Sequence, residues 1–397
     1  MTRDISDLVA EGLSPFEAMR ESPLEDMTTP SEVVTWCERY DLKAAGNALL
    51  LQLRQEDGAD VWAWPGCART TDRTTWSDAL HGGKRLVRDT TQKPWKNTLK
   101  AMGGGLRPDR VYTVAGRTKR GKTAWLLNVA EGAAASNLEA PVLYVSAELG
   151  ASEVAARLLS LRSEDAWYSS ILHGRFDIYD VQNELDALSA DLPNFYAWAP
   201  TFENRTAADL TEAIAAVSAR HEGKPVLVLM DYLQRFHGPD MGSDIRLANR
   251  QISGQIRSLS RPGELPDSCP SWWSSKTWPG AAVVVLSSIG RAAYAHFENV
   301  EKVKAGLSGD LEGSFKETGE IEYDSAVVAV LTSDPSDYQN TEKPNPVNGV
   351  LRIVGGRYRG AGLVDYFFDG PQGRWTEREL GKGVLPAQYK ANTRQRK

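Results

Sequence analysis

Gly116, Arg117, Thr118, Lys119, Arg120, Gly121, Lys122 and Thr123 follow one another with the spacing G-x-x-x-x-G-K-T. A glycine-rich loop of this kind turns successive backbone N–H groups toward phosphate oxygens. A helix opening at its end adds partial positive charge. Lys122 is then expected to reach the β- and γ-phosphates of a nucleoside triphosphate, and Thr123 to ligate Mg2+. The chemistry needs a strand before the loop and a helix after it. Val111, Tyr112, Thr113 and Val114 supply β-favouring residues on one side, and a helical run follows on the other.

Hydrolysis needs two further groups: a carboxylate that holds Mg2+, often through water, and one that orients or deprotonates the attacking water. Residues 226–231 are an apolar run that ends in Asp231, the pattern of a buried strand delivering an acid to its C-terminal end. Many strands end in Asp simply as a turn former, but its position after a phosphate loop favours the metal-holding role. Glu148 follows a second apolar run, 142–147. Ligands of open α/β sheets bind beyond the carboxyl ends of the strands, so Glu148, Asp231 and the loop are expected to converge there. Position alone equally allows Glu148 to be an acid beginning the next helix, where the helix dipole favours it.

The elements that must position these groups can be read from periodicity. Apolar runs at 110–115, 141–146, 194–198, 226–231 and 281–287 predict buried parallel strands. Helical patterns at 122–135, 152–161, 207–221 and 246–259 separate them. Three further strand-like runs, 325–332, 349–354 and 363–368, are joined by turns, so a parallel sheet should finish in a more antiparallel portion. The fold class is α/β with a mostly parallel central sheet, preceded by a small, mainly helical N-terminal region. We divide the chain into 1–100, 101–375 and a polar basic tail, 376–397.

Within 1–100, helical patterns fall at 5–21 and 31–55, and a loop-rich stretch carries Trp62, Trp64 and Trp76. These tryptophans read first as a small core or a face against the main domain, and second as a binding surface. Cys67 has no C-x-x-C partner, which argues against a zinc module. Residues 261–280 hold four prolines and three tryptophans between a helix and a strand. Such a long connection is either functional, meeting a partner or neighbouring subunit, or an idle surface loop.

Composition limits the classes of partner. The formal charge of −6 argues against a globally basic nucleic-acid binder, so any contact with DNA or RNA must be local. The three cysteines, Cys37, Cys67 and Cys269, lack metal-ligand spacing, consistent with reduced thiols and a cytoplasmic location. No signal-peptide pattern opens the sequence, and no apolar run is long enough to span a bilayer, so no membrane partner is expected.

Taken together, the motifs resemble the C-terminal motor domain of the DnaB family of replicative helicases, within the RecA-like P-loop ATPases. The segment 115–123 is similar to that family's phosphate loop, Arg117 included. Residues 144–149, Y-V-S-A-E-L, resemble the segment whose glutamate is the catalytic base, which assigns that role to Glu148. Residues 230–234, M-D-Y-L-Q, are the most specific match and bring Gln234 to the nucleotide site beside Asp231. Asn249 and Arg250 with the helix that follows, and 284–291, also fit. Residues 316–324 resemble the loop that touches single-stranded DNA in the ring's pore, implying that Lys316, Glu317 and Gly319 contact the sugar-phosphate backbone. Residues 356–360, G-R-Y-R-G, resemble the hairpin whose basic residues reach a neighbour's ATP.

The resemblance covers roughly 100–370 and implies ATP and Mg2+ as cofactors, single-stranded DNA as partner, and a homo-oligomeric ring, usually a hexamer, with ATP at each subunit boundary. Arg357 and Arg359 then act in trans on charge at the leaving γ-phosphate. Without the resemblance, both would read as a solvated pair on one strand face, and Lys316 with Glu317 as surface decoration. Ser288 departs from the pattern, because the family usually carries a γ-phosphate-sensing glutamine there. Residues 1–100 resemble neither the family's N-terminal collar nor a primase, although 31–55 could supply a linker helix docking on an adjacent subunit. A protein partner is expected through 1–100 or 261–280. The first expectation is an ATP-dependent, ring-forming helicase or translocase on single-stranded DNA. The alternative is a RecA-like oligomeric ATPase switch (loader, scaffold or defence component) without unwinding. A P-loop kinase is disfavoured, since D-Y-L-Q and 316–324 have no role in one.

Overall fold

The computed structural model describes residues 62–63, 95–137, 140–162, 168–172, 187–188, 190–201, 205–236, 245–289, 291–306, 324–335, 346–357 and 362–378. The helical patterns at 5–21 and 31–55, and Arg359, Lys316, Glu317 and Gly319, lie outside these residues.

The strands are β1 (Trp62–Ala63), β2 (Arg110–Gly116), β3 (Val142–Ser146), β4 (Phe195–Trp198), β5 (Val226–Asp231), β6 (Ala281–Ser288), β7 (Val327–Ser333), β8 (Val347–Gly355), β9 (Leu363–Asp369) and β10 (Arg374–Glu377). They form one sheet in the order β1-β4-β3-β5-β6-β2-β7-β8-β9-β10. Every pairing from β4 through β7 is parallel. From β7 to β10 the pairings are antiparallel, as is β1 against β4. The expected parallel sheet with an antiparallel finish is therefore present. Two short strands were not legible: β1 lies in the stretch read as loop, and β10 is too short to show a period.

Helices cover both faces, which is why the parallel strands are apolar at nearly every position. Period-two alternation divides their side chains. Tyr112, Val114, Val142, Tyr144, Leu227, Leu229, Val284 and Leu286 belong to one core layer. That layer is capped by α1 (Lys96–Ala101), α2 (Lys122–Ser136) and α3 (Ala151–Arg162). Val111, Leu143, Val145, Val226, Val228, Val283 and Val285 belong to the other. Against it pack α5 (Ala207–Arg220) and α6 (Ile245–Ser260). A short helix, α4 (Tyr168–Leu172), follows α3, and α7 (Val300–Ala305) packs against β7 and β8.

Local chemistry fixes the helix starts. Thr206 caps α5 by accepting from the Asp209 N–H at 3.2 Å, while the Asp209 carboxylate accepts from the Thr206 N–H at 2.9 Å. The carboxylate of Glu377 accepts from the N–H groups of Asn97 and Thr98, at 3.0 and 2.7 Å, tying α1 to β10. Trp95 and Leu99 are buried in the first core layer, so the packed core reaches back at least to Trp95, ahead of the expected start at 101.

Residues 261–280 are fastened to the second layer. Trp278 is buried and its indole N–H donates to the Leu259 carbonyl at 2.8 Å. Gly263 and Trp278 exchange backbone hydrogen bonds, and Ser268 and Thr211 share one at 2.5 Å. Trp273 lies 5.7 Å from Trp278, ring to ring. Trp272 and Leu265 face solvent, at 47% and 44% exposure. The connection is a packed surface feature with an apolar tip.

Candidate nucleotide site

The loop after β2 is a steric necessity at both of its glycines. A Cβ on Gly116 would stand 2.3 Å from the Leu331 carbonyl oxygen. Gly121 caps α2 in the left-handed region, at φ 77°, and a Cβ there would strike Phe368 and Trp375, each at 2.8 Å. Side chains behind the loop hold it. The Trp375 indole N–H donates to the Gly121 carbonyl at 3.2 Å. Buried Asn128 donates to the Gly373 carbonyl at 2.6 Å and accepts from the Trp375 N–H at 3.0 Å. Lys122 Nζ donates to the carbonyls of Gly116 and Arg117, at 2.8 and 3.0 Å, so its ammonium stands at the start of the loop.

Lys122 shares this space with the two predicted acids. Burial lowers its pKa, and the charges of Asp231 and Glu148 raise it in return. Asp231, 2% exposed at the end of β5, is pushed up to about 6 by burial first. Its hydrogen bond with the Thr123 hydroxyl opposes that shift, Glu148 adds to it, and Lys122 and Tyr144 counter it. Tyr144 OH donates to Asp231 Oδ2 at 3.4 Å. These partners put the loop lysine, the loop threonine, the β5 acid and the β3 acid in one place, beyond the carboxyl ends of the parallel strands.

Glu148 is exposed to solvent. The turn that presents it is clamped by Ser146, whose hydroxyl donates to the Leu149 carbonyl at 2.8 Å and accepts from the Leu149 N–H at 3.0 Å. The Ala147 N–H donates to the Asp231 carbonyl at 2.8 Å, joining the exits of β3 and β5. Ser146 and Tyr144 were missed by sequence reasoning, although both sit in the Y-V-S-A-E-L segment two residues apart and so share a strand face. Gln234 lies on the single 3-10 turn, Leu233–Arg235, that directly follows Tyr232.

The donor set suits Mg2+ rather than a transition metal. No group of three or more His, Cys, Asp or Glu gathers among the described residues. A hydroxyl beside one carboxylate is the sparse oxygen set that Mg2+ accepts when phosphates and water complete its shell.

Arg357 stands elsewhere. It follows β8, which runs antiparallel to β7 and so ends where the parallel strands begin. Gly356, at φ 112°, is pressed against that start: a Cβ would lie 2.5 Å from the Ala326 carbonyl oxygen. There the charge of Arg357, with that of Arg261, helps burial hold down the pKa of Arg257, while Asp324 and Asp109 oppose it. The strands between the two places are seven residues long in β2, about 20 Å. The structure therefore brings Lys122, Thr123, Asp231 and Glu148 together and sets Arg357 at the opposite end of the sheet.

Comparison with known proteins finds relatives over much of this sheet. Residues 96–269 match the family model of the DnaB-like helicase C terminal domain. Over these residues the chain is similar to the DnaB-like helicase C-terminal domain. The replicative DNA helicase DnaB of Pasteurella multocida (strain Pm70) is 27% identical over 266 residues, which are 66% of this chain and 50% of that protein. DnaB of Haemophilus influenzae (strain ATCC 51907 / DSM 11121 / KW20 / Rd) is 25% identical over 275 residues, 68% of this chain and 52% of that one. The chain thus spans about half the length of the curated DnaB proteins it matches. Among solved structures, an ATPase domain superposes with a TM-score of 0.53 at 21% identity, covering 69% of this chain and 87% of that one. A DnaB-like replicative helicase, solved in a study of its interactions with primase, gives 0.52 at 21% identity, covering 69% and 59%. These likenesses support the RecA-like fold. No described helix is long and apolar enough to cross a membrane.

Proposed function

We propose that this chain is an ATP-dependent, ring-forming motor that translocates on single-stranded DNA and unwinds duplex in the cytoplasm. What carries the reading is the separation described above, with one end of the sheet holding the phosphate loop and both acids and the other presenting Arg357. An arginine about a strand's length from its own phosphate loop is placed to serve a neighbour's, and head-to-tail contacts that close make rings. The DnaB-family relatives named above support the same activity.

In this reading the N–H groups of 116–123 and Lys122 bind the triphosphate, with Gln234 close by. Thr123 and Asp231 hold Mg2+, which supplies charge neutralisation across the phosphates when bound. Glu148 orients the attacking water and accepts its proton. Arg357, with Arg359, meets charge that develops on the neighbour's terminal phosphate. Lys316, Glu317 and Gly319 grip the DNA backbone in the pore of a hexamer. Residues 1–100 or the apolar tip of 261–280 meet a protein partner.

ATPase and strand-displacement assays on the full chain test this. Single-stranded DNA should stimulate turnover, Lys122→Ala should remove it, and a tailed duplex should be separated only when ATP is present. Turnover indifferent to DNA, with no strand separation, would favour an oligomeric switch instead.

A further inference from the structure

The chain that follows β6 packs against the phosphate loop. In the parallel register, Gly116 lies opposite Ser288, so β2 and β6 leave the sheet side by side. The chain from β2 becomes Arg117, and the chain from β6 becomes a 3-10 turn, Arg291–Phe297. The Arg117 guanidinium sits over the ring of Tyr294, 4.9 Å from its centroid. Tyr294 is itself seated on a third apolar cluster that includes Ala115, Ile289 and Phe297. Farther along the loop, Arg120 Nη2 donates to the Glu298 carbonyl at 3.1 Å, and the Ser333 hydroxyl donates to the Arg120 carbonyl at 3.5 Å. One segment after β6 therefore holds both loop arginines.

Lys122 shows where the terminal phosphates belong. A phosphate-loop lysine reaches the β- and γ-phosphates. Here the Lys122 ammonium bonds to the carbonyl of Arg117 itself. The end of the loop that faces the terminal phosphate is thus the end from which Arg117 springs. A free arginine side chain loses about 2 kcal/mol of rotamer freedom when it is fixed, and a ring already holding the guanidinium removes part of that loss. Ser288, directly across the register, is too short to supply a long polar group to the same place.

We infer that Tyr294 is a positioning residue, setting the Arg117 guanidinium for the terminal phosphate so that the site favours tri- over diphosphate. This rests on the nucleotide-site reading above. Tyr294 acts through its ring face, and its hydroxyl has no part. Arg117 would touch the nucleotide, and Tyr294 would act only through it.

Equilibrium binding of AMP-PNP and of ADP to the full chain, with Mg2+ present, tests the inference. The readout is the ratio of the two affinities. Tyr294→Phe keeps the ring face and should keep the wild-type ratio. Tyr294→Leu keeps apolar packing but loses the face; its ratio should fall roughly five-fold through weaker AMP-PNP binding, with ADP affinity unchanged. Arg117→Gln, at a half-buried position, should lower the ratio at least as far, and the double variant should go no lower than Arg117→Gln alone. A Tyr294→Leu ratio within two-fold of wild type, equal weakening of both ligands, or a Tyr294→Phe defect as large as that of Tyr294→Leu overturns the inference. A Tyr294→Leu chain that does not fold leaves the decision to Arg117→Gln, whose unchanged ratio would overturn it alone. If wild type binds neither nucleotide, or Lys122→Ala binds both as well as wild type, the nucleotide-site reading falls and takes this inference with it.

Discussion

At the carboxyl ends of the parallel strands, Lys122 shares its surroundings with Asp231 and Glu148; at the amino ends, Arg257 shares its own with Arg261 and Arg357. The first place pairs the loop cation with two acids, Asp231 nearly out of solvent. The second is richer in cations and more open, with Arg357 exposed. Burial at the first end holds the Asp231 carboxylate beside the Thr123 hydroxyl. Exposure at the second leaves a guanidinium free to enter another molecule. In the proposed ring, one copy's Arg357 would meet the next copy's nucleotide site.

The sharpest way to break that contrast is Arg357→Ala. Turnover should fall by about three orders of magnitude or more if the guanidinium stabilises a neighbour's transition state. Mixing this variant with Lys122→Ala should restore part of the activity, because mixed boundaries pair an intact loop with an intact arginine. Steady-state ATPase across mixing ratios measures this, and an unaltered Arg357→Ala would end the two-ended reading. Next in size, Glu148→Gln should lower kcat by about two to four orders of magnitude while nucleotide affinity stays near wild type, as stopped-flow and binding assays would show.

The buried acid makes a prediction of opposite sign for stability. Asp231 has its folded pKa raised from 3.8 to about 6. Below 3.8 it is protonated in both states. Between these values the unfolded chain ionises first, so stability is lost as pH rises toward 6. Asp231→Asn should therefore stabilise the nucleotide-free chain at pH 8 by up to roughly 3 kcal/mol and have no such effect at about pH 4, although turnover is lost. Urea unfolding at the two pH values checks this, and equal shifts at both would show that ionisation is not the cause. The smallest effect belongs to the amino end. Trp278→Phe removes the indole bond to Leu259, two residues from both Arg257 and Arg261, and should cost about 1–2 kcal/mol by denaturant midpoint.

The sequence disclosed the elements whose pattern is long and whose chemistry is local. Five apolar runs became parallel strands because a strand buried on both faces must be apolar throughout. The phosphate loop was legible because its glycines are demanded by backbone approach, which no other residue tolerates. Asp231 and Glu148 were visible through strand order, but position alone left Glu148 balanced between catalyst and helix cap; its charge acts on Lys122, which puts it near the loop. Long-range groups left no trace. The Tyr294 ring under Arg117 and the Glu377 cap on α1 join residues whose separation in the chain carries no period. Spacing alone read Arg357 as a solvated strand residue and the resemblance gave it a trans-acting role; the antiparallel pairing of β7 with β8 puts it at the far end of the sheet.

The brace behind Gly121 has a consequence for anyone shortening the chain. Trp375 supports a carbonyl 254 residues upstream, and its backbone is held in turn by Asn128 in the helix that begins at Lys122. A stop placed ahead of Arg374 would remove this backing and leave the glycine-rich loop without its wall, though every motif residue would still be present. Tags and trims therefore belong after Arg378, where the last described strand has already closed against β9.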